Sequence, residues 1–386
     1  DTVTGDTWNG NEFTSTPTTV TAAADDGTFD SGDEAWTYDS PPGAEGAYTV
    51  VATATDGAGN TGSSTAVGYT IDATVPTISI TNPGDGDVIS SLSGISGSSS
   101  DNNQVAGVEL TITDTVTGDT WNGNEFTSTP TTVTAAADDG TFDSGDEAWT
   151  YDSPPGAEGD YTVVATATDG AGNTGTSSSV AYTIDATVPT VSNVSLSNDG
   201  SGNLAFSFDS DEQLGTLTSD IAVSVDGPNT TNIYSFDRNA FSETDNGGSF
   251  TYTLLTTQAY NDGYGTYTAS VDDAIDAAGN DGADGSDTDT YDLYEQPVAD
   301  AGTGGDTCGI SFDLQAYMST DSGSGFWQII DETQNQEATW NPSNTNPTTT
   351  VTVTQNGTYN IIWTETNGSY SDSDTITVIF YQQPIA

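Results

Sequence analysis

The chain has no lysine and no histidine, and Arg238 is its only basic side chain against 58 acids, giving a formal charge of -57. Nucleic acid and anionic membrane surfaces both call for clustered Lys and Arg, so both are excluded as partners. Without His or Lys there is no imidazole metal ligand, no Schiff-base amine and no base for a hydrolytic triad. Cys308 stands alone, which removes an intrachain disulfide framework and a thiolate metal site and leaves a small buried hydrophobe as its expected role. No stretch is apolar enough to cross a bilayer, so membrane insertion is not expected, and no signal peptide is visible. Paired carboxylates could in principle cleave glycosides, yet nothing suggests one acid desolvated in an aromatic cleft, so the chain reads as non-enzymatic.

What is present points to β-structure. Gly, Ser, Thr, Asn and Asp abound, and 7 Trp, 17 Tyr and 12 Phe in 386 residues can build cores. Of the acids, 45 are Asp and 13 are Glu, a bias toward turns and cation-binding loops rather than acidic helices. A salt-adapted surface explains the sign of the charge but not that bias.

Repetition organises the chain. Residues Asp1–Thr77 match Asp114–Thr190 with five differences at a period of 113 residues. The segment VPTISITNPGDGDVISSLSGISGSSSDNNQVAGVELTIT precedes the second copy and has no counterpart before the first. The first domain is thus expected to lack its opening strands, and QQPIA at 382–386 looks like the start of a further repeat after EQPVADAG at 295–302. A weaker repeat, Gly-x-Tyr, falls at Gly46/Tyr48, Gly159/Tyr161, Gly265/Tyr267 and Gly357/Tyr359. Each opens an alternating run, then a turn at Asp56, Asp169, Asp276 or Asn367, then a final strand. A Tyr opening the penultimate strand occupies the tyrosine-corner position of immunoglobulin-like sandwiches. The expected fold is therefore all-β, a tandem of immunoglobulin-like β-sandwiches forming an elongated rod without helices. Its domains would be a truncated one at 1–72, then 73–185, 186–295 and an Ig-like or PKD-like one at 296–386.

In a seven-strand sandwich (A to G) the B–C and F–G loops lie at the end where strand A enters, facing the preceding domain. In the second domain SDNNQ at 100–104 is the predicted B–C loop and DGAGN at 169–173 the F–G loop, with YTIDATVP as the incoming linker. Asp72, Asp101, Asp169 and Asn173 converge on that reasoning. One domain later the same logic gathers Asp185 from the linker, Asp209, Asp211 and Glu212 from a B–C loop FDSDEQLG, and Asp276 with Asn280. Carboxylates with no Lys or Arg among them call for a cation, and Ca²⁺ takes six to eight such oxygens. Turn chemistry alone also accounts for each loop taken singly. The convergence favours structural calcium, of weak affinity on the order of 10⁻⁴ to 10⁻³ M. Asp56 and Asn60, the first-copy pair, would form the least complete site. The last domain has NGSYSDSD and YEQPVADAG at the corresponding places and no expected calcium.

Domains with DxAGN followed by YTIDATVPT resemble the bacterial Ig-like repeats of giant surface adhesins. That resemblance implies calcium-binding Asp residues at stiffened junctions. The segment PVADAGTGGDTCG…GTYNIIWTETNGSYSDSDTITVIFYQQP is similar to repeats of very large Bacteroidota surface proteins, including gliding-motility adhesins exported by type IX secretion. Members often carry a second Cys after TETNG that can pair with the one after ADAG; here Tyr370 holds that place.

The function expected is a non-catalytic, calcium-stiffened stalk of a cell-surface adhesin. It would project a distal adhesive region and transmit force in attachment or gliding, with neighbouring repeats, surface glycans or a motility apparatus as partners. The competing expectations are a polysaccharide-binding module using Trp8, Trp121 or Trp340, an accessory region of a secreted enzyme, or the subunit of an extracellular filament. Arg238 should pair with Asp237 or Glu243. Asn193, Asn229, Asn356 and Asn367 match Asn-x-Ser/Thr, and Thr2, Thr115 and Thr375 match a Bacteroidota O-glycosylation signal, at the rate a Thr-rich chain produces by chance.

Overall fold

Alternation of small or apolar residues with Thr, Ser and Asp gives strands almost throughout. The computed structural model describes residues 1–283, 285–320, 323–330 and 338–383, so the last three residues of QQPIA lie outside the described residues. Among those described there is no α-helix, only two three-residue 3-10 turns at Thr218–Asp220 and Arg238–Ala240. The chain divides into two compact units, Asp1–Thr187 and Val188–Ala386.

In the first unit, residues 77–184 form a two-sheet sandwich. One sheet runs Ala136–Ala137, Asp146–Tyr151, Ile95–Ser100, Thr77–Asn82. The other runs Asp87–Ile89, Val180–Ile184, Gly159–Asp169, Val105–Asp114, Thr120–Trp121, Phe126–Thr127. Pairing is antiparallel except between Asp87–Ile89 and Val180–Ile184, which is parallel. The first strand thus pairs with one sheet and, after Pro83, with the other, an immunoglobulin-like strand order. Strand alternation sends Tyr161, Val163, Ala165 and Ala167 inward from one strand and Val108, Leu110 and Ile112 from its neighbour, onto Ile95 and Trp149. Gly97 is required beneath the indole: a Cβ there would stand 2.4 Å from Trp149 Cζ2 and 2.0 Å from the Ser79 carbonyl oxygen.

Residues 1–72 carry nearly the same sequence as 114–185 but form only two-stranded ladders. These are Thr7–Trp8 with Phe13–Thr14, Ala23–Ala24 with Trp36–Thr37, Gly46–Val50 with Val67–Ile71, and Thr53–Thr55 with Thr61–Ser63.

The second unit holds two sandwiches. In the first, Val191–Asn198, Asn203–Ser210, Phe250–Leu254 and Phe241–Asp245 face Tyr234–Asp237, Ile221–Asp226, Gly265–Ala274 and Asp287–Leu293. Phe206, Phe208, Tyr252 and Tyr267 fill the space between them. Arg238 bonds Glu243 at 2.8 Å, donates to the carbonyls of Gly215 and Phe241, and lies over the Tyr252 ring, so its guanidinium serves the fold. In the second sandwich, Gly305–Cys308, Tyr370–Tyr381, Gly357–Asn367 and Ser324–Ile329 face Ser311–Gln315, Thr348–Thr352 and Thr339–Asn341. Trp327 and Trp363 are its fully buried centre. Cys308 is exposed, contrary to its expected buried role, because it closes an edge strand.

Every Gly-x-Tyr tyrosine makes the same bond. Its hydroxyl donates to the carbonyl four residues upstream: Tyr48 to Ala44 at 2.7 Å, Tyr161 to Ala157 at 2.9 Å, Tyr267 to Gly263 at 2.9 Å and Tyr359 to Gln355 at 2.8 Å. These are tyrosine corners, and with the strand order they make the fold immunoglobulin-like.

Candidate metal centre

The strand Gly159–Asp169 ends on a carboxylate that is 2% exposed. Asp169 Oδ1 accepts from the N–H groups of Ala171 (2.9 Å) and Asn173 (2.7 Å), and its Oδ2 from Asn173 Nδ2 (2.7 Å). Burial works to raise its pKa, but these donors, led by the Asn173 side chain, outweigh it and hold the carboxyl below the ordinary aspartate range. Asp169 is therefore a buried anion.

The same geometry recurs without any cluster. Asp56 is held by Ala58, Asn60 and the Asn60 amide in the exposed first copy. Asp199 is held by Ser201, Asn203 and the Asn203 amide in a hairpin that carried no sequence signal for metal. In both, as in Asp169, the donors lower the pKa. The Asp-x-x-x-Asn loop is thus a self-sufficient turn. What distinguishes Asp169 is its company.

Asp72 and Asp101 each bring a carboxylate oxygen within 4.8 Å of an Asp169 oxygen and of each other. Asp101 Oδ1 accepts from the N–H groups of Asn103 and Gln104, and Asp72 Oδ1 from Thr74. The other oxygens, Asp72 Oδ2 and Asp101 Oδ2, are buried and meet no hydrogen-bond donor. Asn173 Nδ2 also donates to the Asp72 carbonyl at 3.1 Å, tying loop to linker. Two carboxylates within 4.8 Å of one another repel by roughly 3.5 kcal/mol or more at an effective dielectric near 20. The sequence places no basic side chain in this unit to offset it. Three converging carboxylates with two unspent inner oxygens suit a hard divalent cation, with backbone carbonyls or water completing the set.

One participant had escaped sequence reasoning. Glu45, from the first copy, accepts from Thr74 Oγ1 at 3.0 and 2.9 Å and from Asn102 Nδ2 at 2.6 Å, joining linker and B–C loop. Its twin Glu158 accepts from Thr187 Oγ1 at 3.0 Å. The signal was a Glu beside the Gly-x-Tyr corner in a chain that elsewhere prefers Asp.

In the second unit Asp276 is likewise buried and bonded by Asn280, and Glu212 lies within 4.8 Å of it. Asp209 and Asp211 do not join them. The expected B–C loop began too early, since Asn203–Ser210 is strand. On it, Asp209 bonds Asn193 and Thr251 across the sheet surface, while Asp211 accepts from the Thr190 N–H at 2.6 Å. Asp185 closes the first unit, capping Thr187 and donating its own N–H to the Ile89 carbonyl.

The last sandwich joins its predecessor differently. Asn367 Nδ2 donates to the Glu295 carbonyl at 3.0 Å, as Asn173 does to Asp72, but Gly368 lies against the Tyr294 ring, where a Cβ would stand 2.2 Å from Cδ2. Glu365, buried, is bonded by the N–H groups of Ser319 and Thr320 and by the Thr320 hydroxyl. An aromatic joint replaces the acidic one.

The tryptophans named as glycan platforms have structural occupations. Trp8 Nε1 donates to the Ser40 carbonyl, Trp121 Nε1 to Ser153 and Tyr151, and both rings lie against phenylalanines, while Trp340 packs on the core of the last sandwich.

The chain matches the family model for the bacterial Ig-like domain (group 3) over residues 32–123. It is 48% identical over 110 residues to halomucin of Haloquadratum walsbyi, a stretch that is 28% of this chain and 1% of that protein. Among solved structures it is similar to the I9–I11 tandem of titin (10% identity, 80% of this chain, 100% of that one, TM-score 0.22). It is also similar to a SusE-like surface-located polysaccharide-binding protein of Bacteroides thetaiotaomicron (14%, 80% and 54%, TM-score 0.24). The immunoglobulin-like fold follows from the strand order and the four tyrosine corners.

Proposed function

We propose that this chain is a non-catalytic structural stretch of a long, repetitive cell-surface protein, whose tandem sandwiches space a distal adhesive region and carry load. Halomucin supports this reading by its length, since 110 matched residues are 1% of it. The near-identical copies suit repetition better than a single reactive site. The likeness of residues 296–381 to Bacteroidota surface repeats supports attachment or gliding as the setting, with type IX export.

Within that reading Asp72, Asp101 and Asp169 bind a calcium ion that stiffens the joint between residues 1–72 and the sandwich at 77–184. The observation that carries it is the pair of buried, donor-free oxygens Asp72 Oδ2 and Asp101 Oδ2 facing a third carboxylate. Bound calcium would offset the mutual repulsion and occupy both oxygens. For a Kd on the order of 10⁻⁴ to 10⁻³ M, about 10 mM calcium stabilises the bound form by roughly 1.4 to 2.7 kcal/mol. The test is calorimetry of the whole chain with calcium and with chelator, ionic strength held equal by NaCl. A calcium-specific rise in the first unit's melting temperature is expected; identical melts would refute the metal site.

A further inference from the structure

In a chain with 58 acids among 386 residues, a broad surface that carries none calls for a reason. The last sandwich has such a surface. Its strand Gly357–Asn367 lies between Ser324–Ile329 and Tyr370–Tyr381, and alternation sends every second side chain outward. From Ser324 to Gln328, from Thr358 to Thr366 and from Ser371 to Ile379, each outward residue is uncharged. The register sets them in rows: Phe326, Thr364 and Ser373 in one, Gln328, Ile362 and Thr375 in the next. The acids of these strands turn to the opposite side. Glu365 is buried and bonded by Ser319 and Thr320, while Asp372 and Asp374 accept from the Ala299 and Ala301 N–H groups. The first acid met on the face is Asp306, beside Ile379 at its edge. The corresponding faces of the other sandwiches are not neutral: Glu109 and Asp160 stand on one, Asp226 and Asp292 on the other.

Two further features suit a ligand. Ser324 with Thr366, Thr364 with Ser373, and Thr377 with Asn360 are joined at 2.9 Å. A hydroxyl pair spends one of its two hydrogens, so the other hydrogen and most of the lone pairs remain for a partner, on side chains already held in place. Beside the face lies a groove of about 540 Å³ whose lining includes Met318, Phe326, Asn344, Thr345 and Pro347 and carries no charge. Ser324 and Phe326 belong to both face and groove. An apolar wall with a few polar groups beside it is the usual make-up of a small-molecule site.

We infer that this face and its groove bind an uncharged polysaccharide, one sugar ring seated against Phe326 and Met318 and the polymer running across the Thr and Ser rows. Charge selects that class. A polyanion is repelled by the acids elsewhere on the chain, and a cationic partner finds its attraction at those acids rather than here. A second copy brings its own charge of -57. Only Phe326, Ile362 and Ile379 are apolar on the face, too few for the apolar core of a protein interface. Hydroxyl and amide groups, by contrast, bond sugar hydroxyls as both donors and acceptors. The site involves neither the acidic trio nor Trp8, Trp121 or Trp340.

The test is affinity electrophoresis of the whole chain, with chelator, through gels holding a neutral β-glucan, α-glucan, mannan, galactan or glycol chitin, and through alginate as the anionic control. Retardation by at least one neutral polymer and none by alginate is expected. Phe326→Ala should weaken that binding roughly fivefold or more, the scale of losing an aromatic anchor. Thr375→Asp, which sets a carboxylate among the rows, should weaken it as well. Both side chains are exposed, so neither change empties the core. Thr162→Asp, on the outward face of Gly159–Asp169, should leave binding unchanged. No retardation by any neutral polymer, retardation by alginate, or native binding by both the Phe326→Ala and Thr375→Asp chains would overturn the proposal. So would a glycan-free dimer in ultracentrifugation that Thr375→Asp abolishes, which would give the face to a second copy.

Discussion

At Asp101 the turn and the cluster make separable demands. Its Oδ1 serves the turn and its Oδ2 faces the other acids. Asp101→Asn keeps an acceptor for Asn103 and removes one of three repelling charges. In chelator the variant should melt at or above the native temperature, and its calcium-dependent rise should vanish; calorimetry of both chains checks this. Asp169 sets a pH dependence whose sign follows from its lowered pKa. A carboxylate that ionises more readily folded than unfolded contributes stability above its unfolded pKa and loses it as pH falls through the folded value. The first unit should therefore weaken as pH falls from about 4 downward, and Asn173→Ala, which removes the strongest of the donors, should flatten that response in melts taken between pH 6 and 3. At this scale the sequence made legible the meeting of Asp72, Asp101 and Asp169 in one place, because strand parity and loop position follow from Gly-x-Tyr spacing. It was not legible for Asp209, since the end of a strand in FDSDEQLG depends on which neighbour continues the ladder, and Phe250–Leu254 continues it to Ser210. Glu45 was hidden for another reason: its partners Thr74 and Asn102 are 29 and 57 residues away.

Among elements, the linker and the F–G hairpin act together. The Pro76 carbonyl can lie on Gly175 only because that residue has no side chain. Gly175→Ala must displace the linker or the hairpin and should cost about 1 to 3 kcal/mol. The identical substitution at Gly62 meets open space and should fall within about 0.5 kcal/mol of neutral. Hydrogen exchange read separately on the two copies distinguishes them, and equal effects would contradict the seating described. The order of strands was readable from turn spacing and from the four corner tyrosines. The splitting of Gly46–Val50 from Thr53–Thr55 was not, because residues 46–55 differ from 159–168 only at Ala47. A ladder partner, rather than intrinsic propensity, keeps that strand whole.

Over the whole molecule, a charge of -57 resides on a chain with a single cation already committed to Glu243. Self-repulsion of that size opposes the folded state and relaxes when salt shortens the screening length from about 10 Å at 0.1 M to about 3 Å at 1 M. Melting temperature should climb steadily with NaCl, and calcium should add a further step at matched ionic strength if the cluster binds it; a flat NaCl profile would show that the acids are too dispersed to matter. The Asp-over-Glu bias then has two origins visible in the structure: turn caps such as Asp56 and Asp199, and the inward-facing trio.

The parallel edge pairs, Asp87–Ile89 on Val180–Ile184 and Gly305–Cys308 on Tyr370–Tyr381, set how these sandwiches fail under tension. In each, a strand near the sandwich's beginning lies alongside its final strand and points the same way. Pulling the two ends away from each other slides one strand along the other, so all the ladder bonds between them resist at once, in shear. A hairpin loaded from its open end would instead lose its bonds singly and in order, like a zipper. The sandwich at 191–293 has no such parallel pair among its described residues. Its first strand meets its last through the Leu196 N–H and the Asp289 carboxylate. Pulled from its two ends, it offers no such sheared parallel ladder.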